Sequence, residues 1–282
     1  MKFLLPIEEA VHHLRDSAFA RLRDVDWFQR TILRILKDQV VLVTKQFDDH
    51  RLTFSPYEAI GNLLFRQGHY QRDLAERVLA ILGKPPGRTL LEIGANIGTH
   101  TVYLTRSGQF KQVICIEPEP RNLLLLKQNL ILNDLGDRTT VVECAVSDHE
   151  GVADFYFNDQ NFGASTLIKP DGAGAPTSVQ VRRVDGILRD LGLRADDIGL
   201  VWMDIEGAEP EAIKSMAELV EQRVPIVMEY APLRYDSGKA REMTRYLSKH
   251  YGRCLLIEAG EECEVDLREL SLDGQFDILL LP

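Results

Sequence analysis

From Arg88 onward the chain alternates short apolar runs with segments of helical periodicity. The apolar runs occupy residues 89–93 (TLLEI), 112–116 (QVICI), 139–146 (TTVVECAV), 199–205 (GLVWMDI), 225–230 (PIVMEY), 253–257 (RCLLI) and 276–281 (FDILLL). Runs this short and this continuously apolar predict strands buried on both faces of a parallel sheet. Helical patterns follow Gly98, run through RNLLLLKQNLILN and EAIKSMAELVEQ, and recur in AREMTRYLSKHY. The last two strands have no helix between them, which predicts an antiparallel final strand. The fold class expected is therefore α/β: a seven-stranded, mostly parallel sheet with helices on both faces. Between the third and fourth strands, GVADFYFND, STLIKP and SVQVRRV predict a strand-rich insertion.

Residues 1–87 read differently, as a helical and hairpin extension ahead of a catalytic domain at 88–282. Ile7, Val11, Leu14, Ala18 and Leu22 fall on one face of a helix, a surface suited to the protein body or to a homodimer contact. VVLVTKQFDDHRLTFSP predicts a hairpin turning at Asp48-Asp49-His50, and Ser55-Pro56 a helix start. Lys84-Pro85-Pro86-Gly87 then ends the extension.

Charge and composition remove whole classes of function. A formal net charge of −10 disfavours nonspecific nucleic-acid binding, which needs clustered Lys and Arg. No run approaches the roughly 20 apolar residues of a bilayer span. Glu8 and Glu9 spoil the first residues as a secretory signal. Cys115, Cys144, Cys254 and Cys263 form no C-x-x-C pair, and the first three lie in apolar runs, as small buried hydrophobes do. A reducing cytoplasm is the expected compartment.

Candidate chemistry begins at Gly94-Ala95-Asn96-Ile97-Gly98, between the first strand and its helix. A dinucleotide loop needs G-x-G-x-x-G and a P-loop needs Gly-Lys-Ser/Thr; both are missing. Asn96 tolerates a left-handed backbone, so the turn can still be made. The loop suits a ligand with an adenosine and a positive charge but no phosphate. Glu117, at the second strand tip, is placed to accept a ribose diol.

Glu-Ile-Gly-Ala-Asn-Ile-Gly-Thr-His, Ile-Glu-Pro-Glu-Pro with Asn129 downstream, and Asp204-Ile-Glu-Gly-Ala-Glu together resemble the FkbM family of S-adenosylmethionine-dependent methyltransferases, over roughly residues 55–232. Glu92 stands where many members carry Asp. The resemblance implies a class I methyltransferase (Rossmann-like) fold, S-adenosylmethionine as cofactor, and O-methylation of a saccharide or secondary-metabolite hydroxyl. On this reading Glu92 balances the donor's amino group, directly or through water. Gly94 and Gly98 allow close backbone approach, Asn96 shapes the turn, and Glu117 takes the ribose. Ala145 and Val146 flank the adenine, and Asp148 is weighed against a plain turn as partner for its exocyclic amine.

Methyl transfer to a hydroxyl needs the acceptor held at attack distance and its proton removed. Asp204 and Glu206 end the fourth strand and Glu229 lies near the end of the fifth, beside the crevice where open α/β sheets bind ligands. Asp204 is expected to orient or deprotonate a small-molecule or glycan acceptor, with Glu206 and Glu229 supporting. Glu209 and Glu211 more simply relieve a helix dipole, and His100 is expected to pack. No Asp-Asp or Asp-Asn pair reinforces a Mg²⁺ site, so no metal is expected. Residues 161–165 suit either a lid or a hairpin connection. An NAD(P)-dependent oxidoreductase and a non-catalytic adenosyl-binding protein remain the alternatives, and N-methylation stays open.

Overall fold

The structure is a computed structural model, and it describes residues 26–37, 39–85, 87–258 and 261–282. The apolar face expected at Ile7–Leu22, with its dimer contact, lies outside the described residues. The described chain opens with a helix α1 (Asp26–Leu36), followed by a hairpin of β1 (Val43–Gln46) and β2 (Arg51–Phe54). Helices α2 (Ala59–Gln67) and α3 (Arg72–Leu82) come next. Glu58 caps α2 by accepting from Ile60 N at 3.0 Å, and Gly68, at φ +86°, ends it.

The alternating region builds β3 (Thr89–Ile93), α4 (Thr99–Arg106), β4 (Gln112–Ile116), α5 (Pro120–Leu132) and β5 (Thr139–Val142). The insertion holds β6 (Ala145–Val146), β7 (Gly151–Phe155) and β8 (Thr177–Arg182), a separate sheet in the order β6-β8-β7. Then follow α6 (Val184–Asp190), β9 (Ile198–Met203), α7 (Glu209–Lys214), α8 (Ala217–Glu221), β10 (Ile226–Tyr230), α9 (Ser237–Leu247), β11 (Arg253–Glu258), β12 (Glu261–Val265) and β13 (Phe276–Leu281).

The main sheet runs β12-β11-β13-β10-β9-β3-β4-β5. Its pairs from β10 through β9, β3 and β4 to β5 are parallel, while β13 is antiparallel to both neighbours. The antiparallel last strand is as expected, but the sheet has eight strands rather than seven. The extra one, β12, is an exposed edge whose alternating Glu261, Glu262 and Glu264 hide it from an apolar-run reading. Residues 139–146 also divide: β5 stays in the main sheet and β6 crosses to the small one.

Strand alternation sorts the core into two layers. Leu91, Ile93, Val201 and Met203 face α6 to α9, whereas Leu90, Leu200 and Trp202 face α2 to α5. Leu90 and Leu91 are completely buried, so truncating either to alanine costs about 2–5 kcal/mol. The expected extension shares the second layer through Leu52, Phe54, Leu64 and Val78. Asn129, fully buried on α5, fastens it there. Its carboxamide accepts from Thr53 N at 2.7 Å and donates to Thr53 O at 3.1 Å and Ile97 O at 2.8 Å.

Candidate active site

A cavity opens at the carboxyl ends of β3, β4 and β9, where a doubly wound sheet places its ligands. The glycine loop forms one wall. Gly94 sits at φ +87°, and a Cβ there would come within 2.0 Å of Asp204 O, so only glycine fits. Asn96 adopts φ +52°, the left-handed turn expected of it. Its backbone N donates to Glu117 Oε2 at 2.7 Å, while Glu117 Oε1 accepts from Glu119 N at 2.9 Å. Both oxygens are thus fixed with lone pairs to spare, and burial pushes the Glu117 pKa up to about 7.

Ala145 and Val146 line the cavity beside Cys144 and Phe155, as expected. Two other expected residues are placed elsewhere. Glu92 lies on the α4 side of β3, outside the cavity wall, where its Oε2 accepts from Thr101 Oγ1 at 2.5 Å. Alternation along β3 causes this, because Ile93 takes the cavity side. Gly98 also lies off the wall; a Cβ there would meet Leu126 Cδ1 at 2.7 Å, so this glycine lets the loop pack on α5. Asp148 stays in a half-exposed turn with His149, its Oδ1 3.0 Å from Nδ1.

Two residues near this wall, Asn122 and Tyr70, carry little signal in the sequence, and a third, Asn161, belongs to the segment weighed as a lid or a hairpin connection. Asn122, buried in the first turn of α5, has no partner for Oδ1 among the described residues, and neither has Asn161 in the insertion. Both residues line the cavity, and each keeps a buried acceptor without a protein partner. Tyr70 lines it as well and packs on His100 at 5.9 Å between ring centroids. His100 in turn lies 4.7 Å from Trp202. The histidine packs between these rings and also lines the cavity, and burial lowers its pKa to about 4, which keeps it neutral.

Carboxylates gather at the other end. Oxygens of Asp204, Glu206 and Glu229 lie within 4.8 Å of one another. Asp204, just beyond β9, is raised well above the carboxylate range by burial and then by Glu229 and Glu206. Glu206 is raised to about 7 by burial and by Glu229, against an ion pair with Arg234. Glu229 Oε1 accepts from Gln275 Nε2, and burial raises its pKa too. Asp277 on β13, half-buried and also raised to about 7, was not foreseen; an acid inside an otherwise apolar final strand was its one visible signal. Glu209 and Glu211 are structural: Glu209 Oε1 accepts from Ile205 N at 3.2 Å and Gly207 N at 3.3 Å, and Glu211 pairs with Lys239 at 2.6 Å.

Residues 92–254 match the methyltransferase FkbM domain. This chain belongs to the FkbM methyltransferase family. The match starts later and runs further than the motifs alone suggested. The 2-O-methyltransferase NoeI of Sinorhizobium fredii (strain NBRC 101917 / NGR234) is 28% identical over 181 residues, covering 58% of this chain and 71% of that protein. The methyltransferase sdnD of Sordaria araneosa is 25% identical over 178 residues, covering 53% and 68%. Among solved structures, M. jannaschii TYW2 in complex with AdoMet aligns with 86% of this chain and 85% of its own, at 12% identity and a TM-score of 0.44.

The FkbM chain is a methyltransferase whose donor is S-adenosylmethionine. The cavity fits that molecule: a carboxylate braced for a diol and two unmatched carboxamide oxygens on residues of its wall. Among the described residues no helix is long and apolar enough to cross a membrane.

Proposed function

We propose that this FkbM protein transfers the methyl group to a hydroxyl oxygen of a saccharide or secondary-metabolite acceptor. The observation that carries the reading is the carboxylate group at the cavity end away from Glu117, with Asp204 and Glu206 in the same wall as Gly94. The likeness to a relative named a 2-O-methyltransferase supports oxygen as the nucleophile. When bound, the donor supplies an electrophilic methyl carbon on a cationic sulfur. Glu117 and the carboxamides of Asn122 and Asn161 hold the nucleoside end. Asp204 Oδ, once ionised, accepts the acceptor's hydroxyl proton as the oxygen attacks, and its raised pKa makes it a stronger base than an exposed carboxylate. Arg234 pairs with Glu206 and fixes its side chain, so Glu206 orients a second hydroxyl.

The test uses donor labelled in its methyl group and a panel of saccharides and hydroxylated metabolites, with product mapped by mass spectrometry. Asp204→Asn is expected to lower kcat by about 10²–10⁴-fold and to leave S-adenosylhomocysteine affinity nearly unchanged. Wild-type turnover in that variant on the best acceptor would remove Asp204 from this role. Protons and Arg234 balance the acids in this reading, so turnover in excess EDTA equals turnover in Mg²⁺.

A further inference from the structure

The insertion contributes Asn161, Gly163, Ser165 and Leu167 to the cavity wall, so something must hold it there. At the donor end the holder is Arg121, in the first turn of α5. Its guanidinium lies 4.1 Å from the Phe162 ring centroid and 5.2 Å from that of Phe157. The same group donates to Asp159 Oδ1 at 2.7 Å and to Glu119 Oε1 at 2.8 Å. Glu119 leads straight back to the ribose carboxylate, because its backbone N donates to Glu117 Oε1. The circuit closes on the far side, where a Cβ on Gly163 would come within 2.8 Å of Asn96 Nδ2, the residue whose N holds Glu117 Oε2.

The insertion then continues to the acid end. Thr166 Oγ1 donates to Glu206 O at 2.9 Å, and Ile168 Cδ1 packs so closely on Gly207 that a Cβ there would lie 2.7 Å away. Glu206 itself sits at φ +56°, a backbone state that needs neighbours to hold it. A single stretch, residues 157–168, thus touches both the donor cradle and the loop that aims Glu206.

We propose that Arg121 is a positioning residue that fastens residues 157–168 across the cavity, so that donor binding at Glu117 is transmitted to the acceptor-side loop at 204–208. Arg121 touches neither substrate; it acts through Phe162, Asp159 and Glu119. Stacking and a forked guanidinium are both used, so lysine cannot replace it fully. The inference rests on the cavity being the donor site.

The test takes the full chain with S-adenosylhomocysteine as probe, read by titration calorimetry and by hydrogen exchange with and without saturating probe. In wild type the probe slows exchange over 157–168 and also over 204–208. Arg121→Ala is expected to bind it about 10-fold more weakly and, at saturation, to lose the slowing over 204–208 while keeping it at 94–98. Arg121→Lys, which retains the charge, shows an intermediate loss and serves if the alanine variant does not fold. A purely structural arginine would lower thermal stability and leave the probe-dependent pattern intact; that pattern, or affinity within twofold of wild type in both variants, overturns the proposal. Wild-type protein that does not bind the probe overturns the donor reading itself, a distinct outcome.

Discussion

Glu229 and Asp277 stand directly opposite each other across the antiparallel β10–β13 pair. Two carboxyls in that register repel when both ionise, and desolvation together with Glu229 raises Asp277 to about 7. Asp204 feels the same field. A base whose pKa is raised becomes competent only as pH climbs through it, so kcat/KM should rise with pH. Asp277→Asn removes one negative neighbour, lowers the pKa of those that remain, and shifts the rising limb to lower pH. A pH–rate profile of the variant checks this; an unmoved limb would show that Asp277 is uncoupled from the reacting group.

Glu117 makes a different pH prediction. Ribose hydroxyls donate to the ionised carboxylate, whose pKa is about 7 in the free protein. S-adenosylhomocysteine should therefore bind more tightly as pH rises from 6 to 8 (assay values, about one unit either side of that pKa). Glu117→Gln, which keeps shape and loses charge, should weaken binding by roughly 1.5–3 kcal/mol and flatten the pH dependence. Calorimetry across that range decides both.

The two loop glycines should not be equivalent. Gly94→Ala forces a Cβ onto backbone Asp204 O at 2.0 Å in a φ +87° conformation, whereas Gly98→Ala, also at φ +87°, meets the side-chain end of the buried Leu126 at 2.7 Å. Each substitution carries backbone strain of about 1–3 kcal/mol, and only the first adds a clash that cannot relax. Thermal unfolding should rank Gly94→Ala as the more damaging, and donor affinity should fall furthest there.

Glu92 should tune stability rather than donor affinity. Burial raises its pKa from 4.5 to about 8, so the folded state retains a proton that the unfolded state has lost. Its contribution to stability falls as pH rises from about 4.5 through 8. Glu92→Gln has no such proton to lose. Its melting temperature should gain on wild type across that window, with S-adenosylhomocysteine affinity held within a few-fold; a large affinity loss would return Glu92 to the donor's amino group.

Much of this molecule is written locally. The apolar runs that became β3, β4, β9 and β10 are buried on both faces, and such strands admit few polar residues, so composition alone marks them. The left-handed Asn96 and the close approach at Gly94 were likewise legible, because backbone conformation restricts residue type at the position itself. β12 was not legible: an edge strand exposed on its outer side needs no apolar run.

What only the tertiary structure decided is which side chains meet. Glu92 and Ile93 are neighbours in sequence, yet strand alternation sends one beneath α4 and the other to the cavity. Tyr70, Asn122, Arg234 and Asp277 come from four distant segments, and no local pattern marks a residue for contacts made across the sheet. Local preference depends on the residue and its immediate neighbours, and it was readable from the chain. Burial, pairing and the pKa values they set depend on distances between segments, and those exist only once the sheet has formed.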